Sequence, residues 1–284
     1  MSDPRELSPE QQERHRHVLR VWEDNPGLGP SQIRNQLKRE GYKISIHTVT
    51  EIMTEHGYVQ PKMRAKDSPK EFEALRPMQL YHLDFLHFRI HKQRQCLLLI
   101  EDDFSRFIAG WALLKSEHAD GVIDAFSAAV LRYGRPDGVM VDRGSAFYSF
   151  RGVARFERHL ADDHIDYYPV DEPRKNGKLE RLNFTVRKEL LTRVEFADLQ
   201  DAQTRIASWV HRYNYRRTHM GLGGLLVPAD RFHGMAQDAL RRIEHGNPAS
   251  PFDVLAPSER ALEIFRVTSV AGTPAVYLMG RKLL

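Results

Sequence analysis

At 284 residues, with 28% charged and 41% hydrophobic side chains, the chain has room for two or three domains of about 100–150 residues each. A net charge of +4 leans toward an anionic partner, while the absence of any run of about 18 apolar residues excludes a membrane span. The start Met1-Ser2-Asp3-Pro4-Arg5-Glu6 carries acids and no apolar stretch, which excludes a signal peptide. A soluble, cytoplasmic protein is expected. Its single cysteine, Cys96, cannot close an internal disulfide; in the apolar run Cys96-Leu97-Leu98-Leu99-Ile100 it reads as a buried thiol.

Residues 9–58 divide into three short helical patterns. The first opens at Ser8-Pro9-Glu10, carries Val18, Leu19 and Trp22, and breaks at Asn25-Pro26-Gly27. The second opens at Pro30-Ser31 and ends at Gly41; the third starts near Ser45 or His47, turns Val49, Ile52 and Met53 inward, and stops at Gly57. Pro and Ser at the starts and Gly at the ends are the punctuation of helices. Three helices with a short turn before the last form a helix-turn-helix pattern, in which Ser45, His47, Thr48 and Thr50 would face a major groove of double-stranded DNA. The polar, proline-marked residues 61–76 read as a linker.

Beyond it the periodicity changes. Runs at 79–90, 95–104 and 106–114, joined by short polar turns, predict an antiparallel meander. A helix follows with Val122, Phe126, Ala129 and Tyr133 at helical spacing, then a short strand from Gly138 to Val141. Another helix carries Val153, Phe156 and Leu160, a strand runs from Ile165 to Tyr168, and two longer helices are expected at 176–193 and 198–214. Three strands followed by alternating helix and strand predict a mixed α/β sheet flanked by helices. Residues 221–248 look loop-rich with one short helix, and 261–270 with 275–282 read as two strands around Ala271-Gly272-Thr273-Pro274, a small β-rich segment. The division is thus 1–60, linker 61–76, core 77–220 and extension 221–284. Residues 76–170 carry 12 Lys/Arg against 13 Asp/Glu, whereas 174–220 carry 11 against 5: a near-neutral core beside a basic track suited to a polyanion.

Three carboxylates stand out by position. Asp84 lies mid-strand in Leu80-Tyr81-His82-Leu83-Asp84-Phe85-Leu86, where both faces are largely apolar, so an unpartnered charge would be costly. Asp142 ends the strand Val139-Met140-Val141 ahead of a turn, the kind of strand end where ligands gather in α/β sheets. Glu180 lies at the edge of the stripe Leu179, Leu182, Val186 and Leu190, with Arg187 nearly above it on the helix.

Asp84 in its strand, Asp142 in Val141-Asp142-Arg143-Gly144-Ser145, and Glu180 in Lys175-Asn176-Gly177-Lys178-Leu179-Glu180-Arg181-Leu182-Asn183-Phe184-Thr185 together resemble the integrase-type DDE transposases of bacterial insertion sequences. Tyr213-Asn214-Tyr215-Arg216-Arg217-Thr218-His219, then Leu222 and Pro228-Ala229-Asp230-Arg231-Phe232, is similar to the segment that closes the core in that family. The resemblance covers roughly residues 9–232. Arg143 stands where the family more often has a neutral polar residue or His, and Thr218 where it usually has Pro. With one cysteine the chain cannot build the His-His-Cys-Cys zinc domain of retroviral integrases; the helix-turn-helix takes that place.

The resemblance implies an RNase H-like fold and a transposase that cleaves DNA at insertion-sequence ends and transfers the freed strand. Three carboxylates without a thiolate favour Mg²⁺ or Mn²⁺, and two such ions would be held by Asp84, bridging, with Asp142 and Glu180. Lys178, Arg181, Arg187 and Lys188 around Glu180 are candidates for phosphate contacts, and a homo-oligomer on DNA is expected. His82 and His87 read as strand packing or support for the site, Asp102 and Asp103 as a turn, and Glu189 as a solvated residue. Two alternatives stand beside this one: a regulator that kept the fold but lost catalysis, and a nuclease that cuts without joining.

Overall fold

The computed structural model describes residues 8–59, 73–149, 152–170 and 177–249, with the backbone of strands at 265–270, 273–278 and 281–282. Most of the expected linker (61–72), Lys175 and Asn176 before the Glu180 helix, and the Ala271–Gly272 turn lie outside the described residues. None of the described helices is long and apolar enough to cross a membrane.

Three helices open the chain: α1 (Pro9–Asp24), α2 (Pro30–Arg39) and α3 (Ile46–Glu55). Ser8 Oγ accepts from the Gln11 N–H while Gln11 Oε1 accepts from the Ser8 N–H, a reciprocal cap that satisfies two otherwise unpaired donors. Pro30 supplies the first residue of α2, where its missing N–H costs nothing. Val18, Val21, Ile33, Leu37, Val49, Ile52 and Met53 bury a common core between the three helices.

The central sheet has the order β3-β2-β1-β4-β5. β1 (Leu80–Ile90), β2 (Gln93–Asp102) and β3 (Ile108–Leu114) form the antiparallel meander. Helices α4 (Ala119–Tyr133) and α5 (Arg155–Asp162) lead to β4 (Gly138–Val141) and β5 (Asp166–Pro169), both parallel to β1. One face of the sheet, with Tyr81, Leu83, Leu98 and Ile100, packs on Val122, Phe126, Phe156 and Leu160 of α4 and α5. Gly110 makes room for α4: a Cβ there would meet Ile100 Cδ1 at 2.9 Å and Ala129 Cβ at 3.0 Å. The other face, with Leu86, Leu97 and Leu99, receives α6 (Gly177–Val186) and α7 (Leu199–Tyr215) through Leu179, Leu182, Val186, Ile206 and Trp209. Between these two helices the backbone widens into a π turn over Arg187–Leu191.

Three local expectations change. α5 starts at Arg155, leaving Val153 outside it and exposed. Residues 221–248, expected to be loop-rich with one short helix, contain two, α8 (Pro228–Phe232) and α9 (Ala236–Glu244); α8 is only five residues long, too short for a periodic signal, and starts on a proline. The C-terminal segment holds three strands, β6 (Phe265–Val270), β7 (Thr273–Leu278) and β8 (Arg281–Lys282), in one antiparallel sheet. Val227, Ala229 and Phe232 pack into the α4 side of the core, with the Phe232 and Phe107 rings stacked 4.3 Å apart. α8 also receives the N-terminal helices: Arg39 Nη1 and Nη2 donate to Asp230 Oδ2 and Oδ1 at 2.7 and 3.0 Å, both side chains buried.

Candidate active site

β1 has eleven residues and its parallel neighbour β4 only four. Their register ends at Leu83 opposite Val141, so Asp84 and Asp142 are the next residues outward on two adjacent parallel strands. Past this point β1 keeps β2 on one side, where Asp84 pairs with Leu99, while β4 turns away. That divergence opens a notch at the strand end and leaves Asp84 and Asp142 half-buried at its mouth. Gly144 closes the turn after Asp142. Its N–H donates to Asp142 Oδ1 at 2.9 Å, and a Cβ at 144 would meet the same oxygen at 2.9 Å.

Asp84 Oδ1 accepts from the Phe85 N–H at 2.8 Å and Oδ2 from Asn183 Nδ2 at 2.7 Å. Burial, and then the negative charge of Asp142, push its carboxyl up to about 6, against those two hydrogen bonds. Asn183 belongs to α6, and Glu180 lies three residues earlier on the same helix, hence one turn away on the same face. Glu180 itself is exposed. The fold therefore brings Asp84 and Asp142 together and ties the helix bearing Glu180 to Asp84 through Asn183, while Glu180 itself points to solvent and is not gathered with the two aspartates into one cluster of ligand atoms among the described residues. Asn183 was not singled out from the sequence; the signal available was its i+3 spacing from Glu180.

A second layer fixes this helix from beneath. Asp103 Oδ1 accepts from Lys178 Nζ at 2.7 Å and lies 2.8 Å from His82 Nε2; Oδ2 accepts from the Ala74 N–H at 2.6 Å. Burial opposes the Asp103 charge, yet these partners outweigh it and hold the carboxyl well below its usual range. His82 is two residues from Asp84 and Lys178 two from Glu180, so the network ties β1 to the start of α6. Lys178 is thus corrected: it is a buried partner of Asp103, with its amino group turned away from any phosphate outside. Asp103 opens the β2–β3 turn, whereas Asp102 is the last residue of β2, opposite Tyr81, and both are buried. Asp102 accepts from the Ser105 and Met78 N–H groups, and burial raises its carboxyl to about 6.

Glu189 is likewise corrected from solvated to buried. It lies in the π turn and accepts from Arg217 Nε and Nη2 at 2.7–2.9 Å and from Arg212 Nη2 at 3.3 Å. Part of the basic charge of 174–220 is consequently internal: Lys178 and Arg217 are buried, and Arg212 Nη1 also reaches Asn25 at the end of α1. Arg181, Arg187 and Lys188 remain exposed on α6 and the π turn.

On α3, Ser45 is the N-cap: its Oγ accepts from the Thr48 N–H at 3.1 Å and lies 2.9 Å from Thr48 Oγ1. Thr50 Oγ1 donates to the Ile46 carbonyl. His47 is strongly exposed and lies 3.1 Å from Glu51. The outward face of α3 also carries the acids Glu51 and Glu55.

Comparison with known proteins points in one direction. A family model described as integrase core domain matches residues 74–167, and a second with the same description matches 163–226. The transposase for insertion sequence element IS629 from Shigella sonnei is 26% identical over 225 residues, covering 73% of this chain and 75% of that protein. The InsF transposase for insertion sequence IS3A from Escherichia coli (strain K12) is 26% identical over 149 residues, covering 46% and 51% respectively. In fold, the chain is similar to a chain of the simian T-cell lymphotropic virus intasome in complex with PP2A regulatory subunit B56 gamma. That likeness has a TM-score of 0.50 and 17% identity, and covers 67% of each chain.

Proposed function

Because the chain belongs to the integrase-core, DDE-type transposases of insertion sequences, with their α/β RNase H-like fold, we propose that Asp84, Asp142 and Glu180 are its catalytic carboxylates and hold two Mg²⁺ or Mn²⁺ ions. The observation that carries this reading is the juxtaposition at the notch: two carboxylates level on parallel strands, with the Glu180 helix tied to Asp84 through Asn183. The donor set fits a hard cation, since it offers oxygens without a thiolate. Burial, and then the negative charge of Asp142, raise the Asp84 carboxyl, and a cation bound there would offset both.

Bound there, the ions supply Lewis-acid activation and neutralise charge on the phosphate. The chain's own residues supply position. Asn183 and the Phe85 N–H each take one lone pair of Asp84, fixing the carboxylate plane and leaving its remaining lone pairs for ligation. The His82–Asp103–Lys178 network fixes the depth of α6 against β1. The reaction has two substitutions at phosphorus. Water frees a 3′-OH at the element end, and that 3′-OH then displaces a strand of the target DNA.

The helical unit 1–60 is assigned to recognition of the element end through α3, with Ser45, His47, Thr48 and Thr50 on its groove-facing side. Arg181, Arg187 and Lys188 are assigned to phosphates beside the catalytic carboxylates, and the working form to a homo-oligomer on double-stranded DNA. The catalytic unit, 77–220 by sequence, is sealed by α8, and 61–76 serves as the linker.

The test is a joining assay with a labelled duplex bearing the element's terminal sequence and a plasmid target. Joined product with Mg²⁺ and none with chelator supports the proposal. Cleavage without joining would make the chain a nuclease, and binding without either would make it a regulator.

A further inference from the structure

Within the sheet, His87 on β1 and Cys96 on β2 are direct cross-strand partners. Their side chains lie on the α4 face with Leu83 and Leu98, because strand residues alternate faces. Asp84 projects to the other face, toward α6. Glu117, between β3 and α4, completes a group whose ligand atoms all lie within 4.8 Å of one another. His87 Nε2 is buried and 2.5 Å from Glu117 Oε1, yet it makes no hydrogen bond of acceptable geometry among the described residues. Cys96 is 3% exposed, while His87 and Glu117 are 32% and 28% exposed. The group is therefore a half-open pocket with a thiol at its floor.

We infer that His87, Cys96 and Glu117 form a binding site for one Zn²⁺ ion, separate from the catalytic carboxylates and on the opposite face of the sheet. A thiolate, an imidazole and a carboxylate are the donors zinc prefers, and Mg²⁺ discriminates against such a set. Bonds of about 2.0–2.3 Å to a tetrahedral ion place ligand atoms about 3.5 Å apart. The present cluster reaches that separation by small rotations of the two half-exposed side chains, while Cys96 stays fixed by pairing with His87 and Leu114 on its two sides. The thiol proton is released to water as the sulfur–metal bond forms, and the fourth position faces solvent. Such an ion would staple β1 and β2 to the segment that enters α4. The inference does not depend on the catalytic assignment.

Co²⁺ is the probe, because a thiolate bound to it gives a sulfur-to-metal charge-transfer absorption that oxygen ligands cannot give. Titrating the reduced, metal-free full chain should develop this band to one Co²⁺ per chain, and Zn²⁺ should abolish it. His87→Ala and Glu117→Gln should each weaken the affinity read from the band at least about tenfold, and Cys96→Ser should eliminate the band. Asp84→Asn should retain it in full. If Cys96→Ser fails to fold, the two half-exposed positions still decide the matter. No band in the wild type under excess Co²⁺, or unchanged affinity in both His87→Ala and Glu117→Gln, would overturn the site.

Discussion

Asn183 Nδ2 donates to Asp84 Oδ2 at 2.7 Å, bridging the helix that carries Glu180 to the strand that carries Asp84. A hydrogen bond to a charged group is worth about 1.5–3 kcal/mol. Asn183→Ala should therefore lower the joining rate at saturating DNA by about ten- to a hundredfold. Duplex affinity should be unchanged, since Asn183 is assigned no phosphate. A rate within twofold of wild type would mean the contact has no part in positioning the site.

Lys178 and Asp103 test the layer beneath. Removing one partner of a buried pair costs about 3–5 kcal/mol, so Lys178→Met should lower the stability to urea by that order. Adding Asp103→Asn to Lys178→Met should recover part of the loss, because the stranded charge goes with it. If Lys178 instead served DNA, Lys178→Met would weaken duplex binding and leave unfolding untouched.

Glu101 gives a pH dependence. Its side chain is buried, accepts from Tyr213 Oη at 3.4 Å, and has no hydrogen-bond partner at Oε2 among the described residues. Burial raises its carboxyl from 4.5 to about 8. The folded state thus keeps a proton that the unfolded chain releases: the contribution to stability is complete below pH 4.5 and is lost as pH rises toward 8. Glu101→Gln should match wild type in urea unfolding at pH 5. At pH 8.5 it should be more stable, by on the order of 2–4 kcal/mol. An equal difference at both pH values would contradict the buried-proton account.

Arg187 and Lys188 are exposed beside α6. Neutralising a true phosphate contact flattens the slope of log affinity against log salt by about 0.9. Arg187→Ala should show that change on end and non-end duplexes alike, and Lys188→Ala a smaller one. Unchanged slopes in both would leave this face merely solvated.

The meander, the helical N-terminal unit and the flanking helices were legible because their side-chain periods are local. Leu97–Ile100 announces a buried strand, and Pro9, Pro30 and Gly41 punctuate helices. Asp84 and Asp142 could be found because strand burial and strand ends are also local features. What the sequence concealed depends on partners far along the chain. Lys178 looks like surface charge until Asp103, 75 residues earlier, is set against it. Glu189 looks solvated until Arg217 closes on it across the π turn. Asn183 sat in the quoted motif, yet only the packing of α6 on β1 gives it a partner. One short helix was expected in 221–248 where two form, because the five residues of α8 make little more than one turn and its core contacts come from Phe107 and Tyr133.

The joining rate of three isosteric variants, measured with Mg²⁺ at saturating end duplex, tests the central assignment most directly. Asp84→Asn, Asp142→Asn and Glu180→Gln each keep shape and remove one anionic ligand. Each should lose joining by at least about a hundredfold while end-duplex affinity in the absence of metal stays within a few-fold of wild type. Joining near the wild-type rate by any one of them would contradict the assignment of that carboxylate, and survival of activity in Glu180→Gln would break the link between α6 and the chemistry.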